Sequence, residues 1–497
     1  MQRRAIRSVF VAAVVAACTP SPSVPASSPV PAPREPYEVV ILGGRVMDPE
    51  SGLDAIRNVG IHGGKVRVIT EGPINGRIRI DARGLVVAPG FIDLHQHTHT
   101  PEALRTKVLD GVTAAFEMET GVRDIDEWYA MVEGKSPIHF GASIGHPTVR
   151  TAVLTGSAPL LDLPGGEGAT RLATPDEITA IRERVEQGLR RGALGVGLAV
   201  EYTPGATPWE VLETFRAAAA FPGAAVYVHV RGTELPYHWM ETAELFLGAL
   251  VTGAPLHIVH ANSSYGSDAL RLFEMIQAAR ARGLDVTTEA YPYTVAMTSI
   301  ESEPFAHWES WAEDRFRRFI WPHAGERLTR ESFGRYRAVG GLVLIEGMTE
   351  ENLRPILASP LTMIVSDGEL AVGAAHPRIA GTYARVLGRY VREERVLTLM
   401  DALRKMTLMP AQRLEARASA MKNKGRIRVG ADADITIFDP ATVIDRSTYT
   451  DPLLPSAGIR YVLVGGLLVV NDGKVVPGAF PGRAVRGPVT APPVGFR

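Results

Sequence analysis

Two rhythms of apolar and polar positions run along this chain. In the first, over residues 37–88, short β-branched runs at 37–42, 44–46, 59–61, 65–70 and 77–80 are separated by turn residues. Such runs predict a small antiparallel β unit. The pattern returns near the C-terminus at 434–438, 459–464 and 467–470, where Gly465-Gly466 and Asp472-Gly473 supply hairpin turns. Two β flanks around one body predict a small β-sandwich domain built from both chain ends, 37–88 with 421–480.

The second rhythm lies between the flanks. Apolar strands at 86–94, 112–119, 138–144, 195–200, 224–230, 255–260, 285–290 and 362–366 alternate with amphipathic segments at 175–191, 208–220, 241–252 and 268–282. Eight strands separated by helices predict an α/β fold, a (β/α)8 TIM barrel spanning 89–420. The interval between Tyr293 and Leu361 is too long for a connection. Its Trp- and charge-rich stretch, 305–337, predicts an insertion of about residues 300–355 that folds over the barrel mouth.

The N-terminus follows neither rhythm. Arg3, Arg4 and Arg7 precede an apolar run, 9–17, that ends in small residues, the pattern of an export signal and too short for a membrane span. Val15-Ala16-Ala17-Cys18 resembles a bacterial lipobox, so residues 1–18 are expected to be a lipoprotein-type signal with Cys18 as the lipidated residue. Residues 19–36, rich in Pro and Ser, would then be an extended tether. The expected location is the bacterial cell envelope, with membrane contact only through the anchor.

Composition narrows the function. A 45% hydrophobic and 22% charged chain of 497 residues excludes a disordered protein, and a net charge of −1 offers no basic stripe for nucleic acid. Cys18 is the sole cysteine, which excludes disulfides and thiolate clusters and leaves any metal to the histidines and carboxylates.

In such barrels the C-terminal strand ends carry the chemistry. The first strand closes with Asp93-Leu94-His95-Gln96-His97, which sets two imidazoles on one side of an extended chain. The second closes with Glu117-Met118-Glu119, the fifth with His229, the sixth with His260 and the eighth with Asp367. Four histidines and an intervening carboxylate suffice for two divalent ions, with Asp367 left to take a proton from a bridging water. His99 falls in the loop beyond the first pair. His146, closing the third strand, is either a substrate contact or a brace for neighbouring loops.

Gly90-Phe91-Ile92-Asp93-Leu94-His95-Gln96-His97 resembles the opening metal motif of the amidohydrolase superfamily. Gly145–Arg150 in Gly145-His146-Pro147-Thr148-Val149-Arg150, Tyr202-Thr203-Pro204-Gly205, His229-Val230-Arg231, Tyr291-Pro292-Tyr293-Thr294, Ser366-Asp367-Gly368 and His376-Pro377-Arg378 resemble its D-aminoacylase branch, the N-acyl-D-amino-acid deacylases. So do Leu403-Arg404-Lys405-Met406-Thr407 and Ala431-Asp432-Ala433-Asp434. The resemblance runs over about residues 38–478. It implies that His95 and His97 bind one Zn2+, that His229 and His260 bind another, and that Asp367 is both a metal neighbour and the general base and acid. It also implies that Arg378 grips a substrate α-carboxylate, with Tyr293, Ser299 and Tyr202 as supporting substrate contacts.

Two departures from the branch stand out. Where the family bridges its metals with a cysteine, this chain has Glu117 and Glu119; Glu119, nearer the mouth, is the favoured bridge and Glu117 the alternative. Where the branch places a lysine facing the substrate carboxylate, this chain has Asn262. The lost charge leaves room for an amidated, peptidic or larger substrate. The expected function is therefore metal-dependent hydrolysis of a small-molecule amide, as an N-acyl-(D-)amino-acid deacylase or dipeptidase-like enzyme. The rivals are a cyclic-amide or ester/lactone hydrolase on the same site and a non-catalytic, metal-stabilised envelope binding protein. Oligomeric state has no signature in the sequence.

Overall fold

Eight parallel strands stand side by side in chain order in the computed structural model, which describes residues 36–232, 238–322, 324–371 and 374–491. The expected signal with Cys18, and all of the tether but Pro36, lie outside these residues. The strands are Phe91–Asp93, Val112–Val122, His139–Gly145, Gly195–Ala199, Ala225–His229, Leu256–Ile258, Val286–Ala290 and Thr362–Ile364. The seam between first and last strands is closed beyond their ends. His97 N–H donates to Gly368 O at 2.9 Å, and the Asp93 carboxylate accepts Ser366 N–H at 3.0 Å and the buried Lys107 ammonium at 2.9 Å.

The helices around the barrel have local causes. Thr174 caps Pro175–Arg190 in a reciprocal capping box with Glu177, and the helix buries Ile178, Ile181, Val185 and Leu189 at helical spacing. Thr207 caps Pro208–Ala219 with its side chain alone, accepting from Glu210 N–H.

The expected first barrel strand is two strands. Val86–Pro89 pairs antiparallel with Ile435–Phe438 in the β domain, and only Phe91–Asp93 enters the barrel. The crossing is at Gly90, where a Cβ would lie 2.2 Å from the Thr113 hydroxyl, so only glycine lets the chain pass between the sheets there.

The two chain ends share one nine-stranded sheet, joined through the pairing of Val86–Pro89 with Ile435–Phe438. The sheet turns back on itself, because Val66 N–H, on the edge strand Lys65–Thr70, donates to Ala431 O at 3.0 Å. Val39, Ile41, Val59, Ile61, Ile435 and Leu463 meet in the core so enclosed. Asp434 locks this domain to the barrel: it accepts Gly465 N–H at 2.7 Å and the Lys424 ammonium at 2.6 Å, and pairs with His139 Nε2 at 3.1 Å. Burial opposes its ionisation, but Lys424 and His139 hold it well below the usual carboxylate range.

The insertion begins earlier than its composition suggests. A four-stranded antiparallel sheet of Val295–Ser299, Leu342–Glu346, Phe319–Trp321 and Glu326–Arg327 carries an aromatic core of Phe305, Trp311, Phe316, Phe319 and Phe333. No described helix is long and apolar enough to cross a membrane.

Replacing Asp434 by Ala leaves a buried ammonium with only Asp432, 3.0 Å away. Such a loss costs about 3 kcal/mol. A lowered urea midpoint for Asp434→Ala, beside an unmoved midpoint for Asp81→Ala at its exposed pair with Arg83, is the expected result.

Candidate metal centre

The residues at the mouth are held by backbone that regular strands do not provide. On the second strand Glu117 pairs with Ala142 and Val122 with Ile144, so the residues between them bulge out of the ladder. Three glycines make room for that bulge. A Cβ on Gly197 would lie 2.4 Å from Glu119 O, one on Gly145 2.4 Å from Thr120 O, and one on Gly121, at φ +65°, 2.7 Å from Gly145 Cα. The Ser143 hydroxyl ties the bulge down through Met118 O at 2.9 Å. Glu119 is thereby carried into the centre of the mouth, while Glu117 stays behind it.

Glu119 faces two histidine pairs at once. Its Oε2 lies 3.1 Å from His95 Nε2 and 3.2 Å from His97 Nε2; its Oε1 lies 2.8 Å from both His229 Nδ1 and His260 Nε2. Asp367 Oδ1 approaches the first pair at 3.5 and 3.4 Å, and its Oδ2 is 2.8 Å from Arg378 Nη1. His260 and Asp367 both have positive φ, +28° and +51°. Strain of this kind in non-glycine residues collects at functional sites.

Each imidazole also has a partner on its outer side. His95 Nδ1 meets Glu289 at 2.6 Å, His97 Nδ1 meets Glu117 at 3.0 Å, His229 Nε2 meets Glu201 at 2.7 Å and His260 Nδ1 meets Ser264 Oγ at 3.0 Å. A neutral imidazole that donates outward to a carboxylate presents a bare lone pair inward. With both rings neutral, His95 Nε2 and His97 Nε2, 3.1 Å apart, would face each other without a proton between them. That contact repels unless a cation lies among the atoms. Ligand bonds of about 2.0–2.1 Å in a tetrahedron separate ligand atoms by about 3.3 Å, and the 3.1–3.5 Å spacings around His95, His97, Glu119 and Asp367 match. The donor set fits divalent metal on both sides of Glu119.

The electrostatics make the same demand. Burial opposes protonation of His95, but Glu119, Asp367 and Glu289 override it and push the ring well above the usual imidazole range. His229 is pushed up to about 10 by Glu119 and Glu201, again against burial. Asp367 is held far below the usual carboxylate range, its burial outweighed by Arg378 and His95. The mouth requires positive charge, as protons or as metal.

The other residues expected at the site divide. Tyr202 and Ser299 line a cavity of about 1240 Å³ that reaches His97, Glu119, His229, His260 and Asp367. Phe305, Trp311 and Phe319 line the same cavity, so the insertion covers the mouth. His99 lines it too, but its Nε2 points to Ala115 O at 3.4 Å and burial lowers it to about 4. Four other residues do not line the cavity. His146 is fully buried, with Nε2 2.8 Å from Glu210, which also takes Arg150; it ties the helix His146–Thr155 to the start of the helix Pro208–Ala219. Asn262 holds the end of the seventh strand through both backbone polar groups of Tyr291. The Tyr293 hydroxyl points to Pro377 O and Asp445. Arg378 is 1% exposed, lies 4.6 Å over the Tyr291 ring, and gives its guanidinium to Asp367 where a substrate carboxylate was expected.

Sequence reasoning missed Glu201 and Glu289. Glu289 is the one acid of its strand, one residue before the strand's end, and Glu201 lies two residues beyond the end of the fourth strand. Those positions were the available signal.

The amidohydrolase family model matches residues 167–470. The chain is 30% identical over 491 residues to an N-acyl-D-glutamate deacylase of Alcaligenes xylosoxydans xylosoxydans, covering 91% of this chain and 97% of that protein. A dihydroorotase of Geotalea daltonii is 24% identical over 465 residues, covering 88% of this chain and 99% of its own. Among solved structures, the N-acyl-D-glutamate deacylase from Bordetella bronchiseptica, complexed with zinc and a phosphonate that mimics the tetrahedral intermediate, superposes with a TM-score of 0.76 at 25% identity. It covers 91% of this chain and 100% of that one.

Elemental analysis distinguishes the two glutamates. Glu119→Ala is expected to lose at least one bound ion per chain, whereas Glu117→Gln keeps the ligand set and weakens binding by about tenfold. Undiminished metal in Glu119→Ala would rule out the bridge.

Proposed function

This chain belongs to the amidohydrolase family, and on that premise we propose that it is a zinc-dependent hydrolase cleaving the amide C–N bond of an N-acyl-amino-acid-like or dipeptide-like compound. The observation that carries this reading is the single Glu119 carboxylate set between two histidine pairs, with Asp367 beside it. His95, His97 and Asp367 would hold one ion and His229 and His260 the other, with one oxygen of Glu119 toward each. Bound zinc supplies Lewis acidity toward the scissile carbonyl and lowers the pKa of water.

The chain's own residues handle the proton. Asp367 is ionised at rest, so its carboxylate accepts the proton of the attacking water and passes it to the departing nitrogen. Arg378 holds Oδ2 and so aims Oδ1 at the metal ligands. Tyr202, fixed by Thr298 at 2.8 Å, and the aromatic face of the insertion bound the space left for substrate.

The substrate reading follows from two positions beside the metal ligands that offer no free charge; the cations that line the cavity, Lys135, Arg315 and Arg318, stand elsewhere on its wall. Asn262 is engaged with backbone and Arg378 with Asp367, so neither presents a cation to an α-carboxylate. This supports an amide whose carboxylate is blocked, amidated or peptidic, and the named deacylase relatives support the D configuration. The same observation, with the dihydroorotase similarity, supports cyclic-amide or lactone hydrolysis as the second reading. An intact proton carrier speaks against a binding protein. The basic and apolar pattern of residues 1–17, with Cys18 after it, supports an enzyme tethered at the cell envelope.

Two measurements test this. Asp367→Asn is expected to lose about 10²–10⁴-fold in kcat while it still binds zinc, and unchanged turnover would refute the proton role. Across N-acetyl-D- and L-amino acids, their amides, dipeptides and hydantoins, the amides and dipeptides should show the highest kcat/KM; a preference for hydantoins would move the assignment to the cyclic reading.

A further inference from the structure

We propose that Glu201 is a positioning residue that sets the affinity of the second metal position, the one at His229 and His260. The inference rests on the two-ion reading above and names a group in the cavity wall that makes the second ion possible.

His229 lies between two carboxylates, Glu119 Oε1 at 2.8 Å from Nδ1 and Glu201 Oε2 at 2.7 Å from Nε2. A neutral imidazole carries one proton and cannot donate to both. With Glu119 serving as the bridge, the proton belongs on Nε2, donated to Glu201, and the Nδ1 lone pair turns to the ion. Main-chain geometry delivers Glu201 to this place. Val200 N–H donates to His229 O at 3.1 Å, which fixes the residue before Glu201 against the residue it serves. The Tyr202 ring, 4.9 Å from the imidazole and edge-on, limits rotation on the other side.

The partners of the other imidazoles show why this contact matters. Carboxylates stand behind both rings of the first pair, Glu289 and Glu117. On the second side His260 has only the neutral Ser264 hydroxyl. Among the described residues Glu201 is thus the outer anion of the second position. Charge counting agrees: the carboxylates touching the four imidazoles are Glu117, Glu119, Glu201, Glu289 and Asp367, and Arg378 offsets one of them. Two divalent ions balance the remaining four charges. Without Glu201 the second ion would bring uncompensated positive charge into a largely buried mouth, which is costly.

The test loads the metal-stripped full chain with Zn2+, and separately with Co2+ for its absorption spectrum, and measures each stepwise dissociation constant by competition with a chromophoric chelator. In Glu201→Gln, where a neutral oxygen still accepts the hydrogen bond, the ion at His229 and His260, whichever step it fills, should bind about tenfold more weakly; in Glu201→Ala the loss should approach about a hundredfold. The affinity of the ion at His95 and His97 should stay at its wild-type value, and the spectrum of the cobalt at His229 and His260 should change. Both stepwise affinities within twofold of wild type in Glu201→Gln overturn the proposal, and that near-isosteric variant decides if Glu201→Ala fails to fold. A wild-type chain that takes up only one ion overturns the two-ion reading itself, and this inference with it, before any variant is compared.

Discussion

Six atoms that carry lone pairs or negative charge, four imidazole nitrogens and the two oxygens of Glu119, crowd together at the mouth of this barrel within about one ligand-to-ligand spacing. Left to themselves they would separate, and much of the surrounding structure makes sense as what prevents that. The outer partners Glu289, Glu117, Glu201 and Ser264 hold each ring from behind. Positive φ at His260 and Asp367 is strain kept in place by the packed strands on either side. A site assembled in this way is preorganised for dications, because its repulsion is relieved when they bind.

The same constraint explains the seam. The first and eighth strands bring His95, His97 and Asp367 together, and they are joined by Asp93, Ser366 and Lys107 rather than by a long ladder. A buried lysine–aspartate pair is directional where an apolar seam would slide, and here it sets the spacing of the ligands above it. The insertion then supplies what the barrel lacks, an aromatic wall across the cavity from a strongly polar floor.

The sequence displayed the periodic and the local. Eight apolar runs announced the barrel, and the two-residue spacing of His95 and His97 announced half of a metal site, because alternation along an extended chain is a local rule. Glu119 could be preferred over Glu117 by its place, but the reason it wins is a bulge whose glycines come from three strands. Arg378 illustrates the opposite case. Its motif fits a substrate clamp, yet its guanidinium is committed to Asp367, a pairing that depends on how a helix start packs against a strand end. Glu201 and Glu289 stand just before the motifs Tyr202-Thr203-Pro204-Gly205 and Tyr291-Pro292-Tyr293-Thr294 rather than within them, and only the closed barrel brings them to the rings they hold. Gly90 hid a boundary because the apolar run continues across it, and the break is steric rather than compositional.

Gly121, Gly145 and Gly197 have a consequence for how this protein can change. The floor beneath the bridging carboxylate is bare main chain packed on main chain, and no side chain there can be exchanged for another without pushing the bulge away. The inserted sheet and its aromatic core, which form the wall opposite, carry no ligand. Heritable variation in that wall can therefore reshape what the cavity admits while the floor keeps its chemistry, so new substrates are open to this lineage at a cost its reaction centre does not share.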